Sequence, residues 1–508
     1  MDFELSLLPV AATTVAGLAC YVIYRRLVGS KPTNDAIAAA VAATTAAAAE
    51  PGLARKVLFA DESYDDWQSV LSLESWDAFD AYFQAKYIDT EVFAGGATVV
   101  ISDKQGVVHR RVFGDHKEDS VYCAYSVTKI VTTVACLQLR DEGKLDLDDL
   151  MSKHLAGWVD AGRPAEPGVT AKPITIRHCL NHTSGLGYYV FDQPMHSALE
   201  RTACKAKDKL SKPTLAELSS WIGKEGPIAF EPGQQFFYAD AHNSVAAIIE
   251  QISGLDYETY LQQKIFGPLG MVDTTFLTSR AQRARYNKAP VDTKYLAPKW
   301  LLPVLPKFLH LIHDLHDKPH MVRGDGGLKG SMDDWTKLNR CLLNGGELNG
   351  VRVLSAKSVT EMCTSSVGGR ELVAPFTYTA NEKLSIDPAS MCWMVPPEHV
   401  DTCSTRFSDA DVRAASHFAG QTIGLGALVV TDPKKATLVE RAAGTSWWCG
   451  ATSTYFGFHP TARLGVLVYG AHWDCFGGKG ASKGVRGTTR LCGFRDAINA
   501  AFQLQRKA

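Results

Sequence analysis

The sequence predicts an α+β domain: an antiparallel sheet drawn from both ends of the folded region, flanked by helices and carrying an inserted helical subdomain. Three observations predict it. An alternating β-hairpin pattern occupies 97–113, and further strand patterns recur between 426 and 469. The chain between them, to about residue 345, is dominated by helical spacing. Strands at both ends with helices between them are best buried by closing one sheet with the two ends of the domain.

The elements follow in order. Leu5 to Tyr24 is an uncharged, mainly apolar run, long enough as a helix to cross a hydrocarbon core of ~30 Å. Asp2 and Glu4 precede it, and Arg25, Arg26 and Lys31 follow, the reverse of a secretory leader. The positive-inside rule therefore makes it a single-pass anchor with the remaining chain on the cytoplasmic side. Ala36 to Glu50 is Ala/Thr-rich and reads as a linker, so the anchor and linker together occupy 1–56 and the folded domain 57–508.

Trp76 to Tyr87 has the spacing of an amphipathic helix. Ala97 to Ser102 and Val107 to Phe113 form the hairpin, turning at Asp103-Lys104-Gln105-Gly106. Ser126 to Gly143 reads as a helix ended by glycine. Strand patterns return at Gly426–Thr431, Thr437–Arg441, Thr454–Phe458 and Leu464–Tyr469, and Thr489–Gln505 closes the chain as a helix.

Composition excludes several function classes. The 508 residues are 46% hydrophobic and 21% charged, with a formal net charge of −1 and no basic stripe, so nothing points to nucleic acid. The 12 cysteines form no CxxC pair and read as free, mostly buried thiols rather than a disulfide framework or zinc site. No metal or organic cofactor is expected.

Ser126-Val127-Thr128-Lys129 is an SxxK sequence at a helix start. Residues three apart share a helix face, so the Lys129 amine can reach the Ser126 hydroxyl. A serine hydroxyl is a weak nucleophile until a neighbouring base takes its proton, and a lysine serves if burial or a nearby cation lowers its pKa. With Cys123-Ala124-Tyr125 before it and Glu142-Gly143-Lys144-Leu145-Asp146-Leu147-Asp148-Asp149 after, this stretch closely resembles the nucleophile region of the class C β-lactamase-like family of serine β-lactamases and penicillin-binding proteins. Ile174 to Leu186, containing His182-Thr183-Ser184-Gly185, resembles that family's second hallmark segment; read alone, His182 is a core or capping histidine.

Glu231-Pro232-Gly233-Gln234-Gln235-Phe236-Phe237-Tyr238-Ala239-Asp240 resembles the family's PGxxxxYxN block. The resemblance makes Tyr238 the general acid/base working with Lys129, since neighbouring cations favour loss of a phenolic proton. Asp240 departs from the usual asparagine, whose amide meets the substrate; a carboxylate cannot donate in that way. Trp448-Cys449-Gly450 aligns with the Lys-Thr-Gly of β-lactamases and is similar to the Trp-Gly-Gly of esterase-type members, exchanging a cation for an apolar wall. By resemblance, the Ser126 and Ala451 N–H groups form the oxyanion hole, and Trp448, Gly450 and Asp240 line the substrate. Gly326 to Trp335 and Leu342 to Leu348 match further family segments.

The resemblance thus implies a serine β-lactamase-like fold and a serine hydrolase acting on small-molecule esters or amides through an acyl-enzyme on Ser126. Trp448 and Asp240 favour esterase, with acyltransferase, β-lactamase or D-amino-acid peptidase as alternatives and a non-catalytic anchored scaffold as the reading from another class. His310, His313, His316 and His320 read as a surface or groove-lining patch lacking a metal constellation. The apolar, Pro-broken stretch from Tyr295 to Ile312 covers the site mouth, dips into the membrane, or simply packs. The Gly/Lys stretch from Phe476 to Gly487 lacks a phosphate-binding pattern.

Overall fold

A computed structural model describes residues 73–93, 95–160, 165, 169–187, 214–287, 322–373, 393–395, 420–432, 443–450, 453–470 and 490–505. The anchor and linker, the histidine patch, the apolar 295–312 stretch, the 437–441 strand pattern and the 476–487 stretch lie outside the described residues. Among the described residues, no helix is long and apolar enough to cross a membrane.

The hairpin forms as its sequence predicts, with strands β1 (Gly96–Ser102) and β2 (Val107–Gly114). Asp103 makes the turn: its carboxylate accepts the Gln105 and Gly106 N–H groups, both at 2.8 Å. Two short strands follow, β3 (Val121–Cys123) and β4 (Lys329–Ser331), paired with each other. The C-terminal half supplies β5 (Gln421–Ile423), β6 (Leu428–Val430), β7 (Ser446–Gly450), β8 (Thr454–His459) and β9 (Leu464–Gly470). The main sheet is antiparallel in the order β2-β1-β9-β8-β7-β6-β5, with Val99 opposite Val468 and Trp448 opposite Phe456. Both ends of the domain therefore close one sheet.

Burial follows place in the sheet. Every residue of β1, flanked on both sides, is buried. β2 lies at the edge and exposes Arg111, a charge that discourages pairing with another chain.

Helix α1 (Trp76–Phe83) is capped by Ser75, whose hydroxyl accepts the Ala78 N–H at 3.2 Å. The expected helix to Tyr87 continues as a π-turn over Gln84–Ile88. This opens the residues toward the closing helix of the chain (Arg490–Gln505), where buried Asp496 accepts from Tyr82 at 2.8 Å and also from Tyr87.

The second helix, α2 (Thr128–Asp141), starts two residues later than its pattern predicts, because Tyr125–Val127 forms a 3-10 turn. It is buried almost throughout, running through the core that joins the sheet to the helical region. α3 (Ile176–Leu180), α4 (Leu215–Glu225) and α5 (His242–Ser253) belong to that region, and α6 (Met332–Leu343) lies against β1, β8 and β9.

Candidate active site

Ser126 sits in the 3-10 turn at the mouth of α2, and the residue before it is strained. Tyr125 has φ +45°, a left-handed value costly for a residue with a side chain. The strained turn places the Ser126 hydroxyl where it faces one group a helical turn away and one 112 residues away in sequence. The Ser126 Oγ lies 2.6 Å from the Tyr238 hydroxyl and 3.4 Å from the Lys129 amine. Lys129 Nζ also stands 4.7 Å from the centre of the Tyr238 ring. The structure therefore brings together the three residues that the sequence singled out as nucleophile and proton handlers.

Lys129 is wholly buried in the first turn of α2. Its amine donates to the Asp325 carbonyl at 2.7 Å. Burial pulls its pKa down to about 8; the Arg323 cation acts in the same direction, while the Asp325, Asp240 and Cys449 side chains act against it. An amine at that value is a usable base near neutral pH.

The 322–328 segment that delivers Asp325 is threaded between helices. A Cβ on Gly324 would lie 2.2 Å from the His242 carbonyl oxygen, so α5 admits only glycine there. The Gly324 N–H donates to the Asn243 side chain at 2.9 Å, and Thr132 Oγ1 of α2 donates to its carbonyl. Arg323 grips the Asp325 carboxylate with two bonds of 2.7 Å.

Tyr238 is held by His182. The His182 carbonyl accepts the Phe237 N–H at 2.9 Å, and its ring Nδ1 accepts the Ala239 N–H at 3.2 Å. That second bond assigns the ring proton of the neutral form to Nε2. Burial keeps the imidazole uncharged, aided by His242 and Lys129. The sequence reading of His182 as a core or capping histidine is right about burial; it missed the grip on both sides of Tyr238.

Trp448 forms a wall. Its ring is stacked on His182 at 5.6 Å and tilted against Tyr238 at 5.8 Å. Cys449 beside it is half-buried, and burial pushes its thiol up to about 12, so it is a packing group rather than a thiolate.

Gly450, expected to line the substrate, has a packing role in the fold. A Cβ there would sit 2.5 Å from the Ala124 carbonyl oxygen and 2.2 Å from Thr454 Oγ1. Its bareness lets β7 press against the turn that carries Ser126. Gly450→Ala is expected to destabilise the fold by about 1–3 kcal/mol, the usual cost of overpacking, and to slow Ser126 acylation. Thermal melts together with serine-labelling rates measure both effects.

Asp240, expected to meet substrate, is instead wholly buried at the entry to α5, and neither carboxylate oxygen makes a hydrogen bond. The correction has a simple cause: at the turn into α5 this side chain is buried in the protein, within electrostatic reach of Lys129, Asp325 and Arg323. Ala451 lies outside the described residues. No cluster among the described residues could hold a metal ion.

The family model described as Beta-lactamase matches residues 85–472. The protein Rv1367c of Mycobacterium tuberculosis is 27% identical over 374 residues, covering 70% of this chain and 77% of that one. A lovastatin esterase of Penicillium rubens is 31% identical over 229 residues, 41% of this chain and 55% of the relative. Among solved structures, that of EstCE1, described as a hydrolase with promiscuous acyltransferase activity, superposes with a TM-score of 0.59 at 21% identity, covering 83% of this chain and 97% of that one.

Proposed function

This chain belongs to the beta-lactamase family, and on that footing we propose that it is a serine hydrolase cleaving small-molecule esters through an acyl-enzyme on Ser126. The observation that carries the reading is the 2.6 Å approach of the Tyr238 hydroxyl to Ser126 Oγ, with the buried Lys129 amine 3.4 Å from the same oxygen.

In the first step Ser126 Oγ attacks the ester carbonyl carbon while its proton passes toward Tyr238 and Lys129. The Ser126 N–H, in the turn that leads into α2, lies at the positive end of that helix, where it can stabilise the tetrahedral oxyanion. Tyr238 then gives a proton to the leaving alkoxide as the carbon–oxygen bond breaks. In the second step water, activated by the same pair, attacks the acyl group and restores the Ser126 hydroxyl.

Trp448 supports ester over β-lactam substrates. Where β-lactamases carry a lysine for the substrate carboxylate, an aromatic wall stands beside Tyr238. The relative named as a lovastatin esterase favours the same substrate class. Acyl transfer is the second reading, supported by the description of EstCE1, and it differs only in whether an alcohol or amine displaces water in the second step.

The test is intact-mass spectrometry of the full chain mixed with p-nitrophenyl butanoate, with and without an added alcohol. A transient butanoyl adduct with release of butanoate supports hydrolysis. An adduct discharged mainly to the alcohol supports the transferase. Neither adduct nor p-nitrophenol release counts against both.

The uncharged Leu5–Tyr24 run and the cations after it support anchorage with the catalytic domain on the cytoplasmic side. Alkaline extraction of membranes, followed by protease protection, tests this: release into the soluble fraction would overturn it.

A further inference from the structure

Around Lys129 lies a group of buried polar side chains that the acylation steps do not use. Asp240, His242 and Asn243 enter from the start of α5, and His182 from the segment after α3. All four are wholly buried. Both Asp240 carboxylate oxygens, both His242 ring nitrogens, the His182 Nε2 and the Asn243 amide nitrogen make no hydrogen bond. A buried carboxylate in that condition is strongly disfavoured unless a nearby charge compensates it or a proton neutralises it.

The charges that face Asp240 come from two other elements. Lys129 comes from α2, and Asp325 and Arg323 come from the 322–328 segment. Arg323 and Asp325 are locked to each other by two hydrogen bonds, so they largely cancel. The imidazoles of His182 and His242 are kept neutral by burial, and the Cys449 thiol on β7 keeps its proton. The Asp240 carboxyl is therefore the group whose charge varies beside Lys129.

Resting on the reading of Ser126, Lys129 and Tyr238 given above, we propose that Asp240 is a positioning residue for the Lys129 proton. Its charge decides whether the amine stands as ammonium or as the free base that Ser126 needs, and so sets the pH at which acylation begins. Burial and the Asp325 carboxylate push the Asp240 carboxyl up to about 7, close to the value of about 8 for Lys129. The two groups thus change charge in neighbouring pH ranges. Once ionised, Asp240 favours the ammonium form of Lys129 and holds the base back. Protons enter and leave by exchange with solvent, so no further reactant is involved. An asparagine here would leave the amine without that restraint.

The experiment compares wild type with Asp240→Asn, which keeps the shape and removes the charge. Two rates are followed from about pH 5 to about pH 9: fluorophosphonate labelling of Ser126 and kcat/KM for p-nitrophenyl butanoate. The acid limb of both profiles is expected to move about one unit lower in the variant, a roughly tenfold relative gain on the rising limb, with the alkaline plateau nearly unchanged. Asp240→Ser, smaller and also uncharged, is expected to move it likewise and serves if the asparagine variant does not fold. In infrared spectra a protonated-carboxyl band of the wild type should vanish as pH rises through neutrality and be missing from Asp240→Asn.

An unmoved acid limb, an equal loss at every pH, or the lack of such a titrating band overturns the role of Asp240. Failure of the wild type to label on Ser126 would instead overturn the serine-enzyme reading beneath it.

Discussion

Ser126→Ala is expected to abolish the butanoyl adduct and to lower ester turnover by at least ~10⁴-fold, or about 5.5 kcal/mol of transition-state stabilisation. The size follows from what is lost. Without the hydroxyl no acyl-enzyme forms, and the remaining groups can only polarise a bound ester toward attack by water. Lys129 and Tyr238 stay in place, since Lys129 is also fixed by the Asp325 carbonyl and Tyr238 by the two bonds from its neighbours to His182. The variant should therefore melt at nearly the wild-type temperature. A residual turnover within tenfold of wild type would mean that the chemistry runs through another nucleophile.

Tyr238→Phe comes second, at ~10²- to 10⁴-fold, the range of a lost acid/base. The change is confined to one oxygen, because the phenylalanine ring keeps its place over Lys129 and against Trp448 and His182. The leaving group makes the prediction sharper. An alkoxide needs a proton as it departs, whereas p-nitrophenolate leaves without one. The loss should therefore be several-fold larger for an ethyl ester than for a p-nitrophenyl ester, measured as kcat/KM on both. Equal losses would confine Tyr238 to activating Ser126.

Much of this site was legible because its parts are short patterns. SxxK puts serine and lysine one helical turn apart, and the block ending in Tyr238 is contiguous, so each is visible without the fold. The sheet was legible for a similar reason: β1, β2, β8 and β9 carry alternating or continuous apolar runs bounded by turn residues. What sequence missed was assembled from pieces with no shared period. Arg323 and Asp325 bear on Lys129 only because their segment passes between α2 and α5, held there by Thr132 and Asn243. His182 grips Tyr238 from a tight turn with φ +58°, a value that side-chain chemistry alone does not announce. Asp240 was misplaced because the family pattern gives its position in the chain but not the direction of its side chain. Gly450 was read for its neighbours in the motif, and its close approach to the Ala124 carbonyl, far away in sequence, had no local signal.

The sheet that joins Ala97 to Gly470, and the Tyr82–Asp496 bond between residues 414 apart, bear on how the molecule is made. During synthesis β1 must wait for β9 before it has a second neighbour, so a nascent chain ending before residue 464 presents a strand that is wholly buried in the native fold with one side open. Contacts of such sequence separation form slowly, which exposes that strand to aggregation in the interval. Ribosome-stalled chains of increasing length should therefore bind chaperones until β9 emerges, and only then acquire a serine that a fluorophosphonate can label.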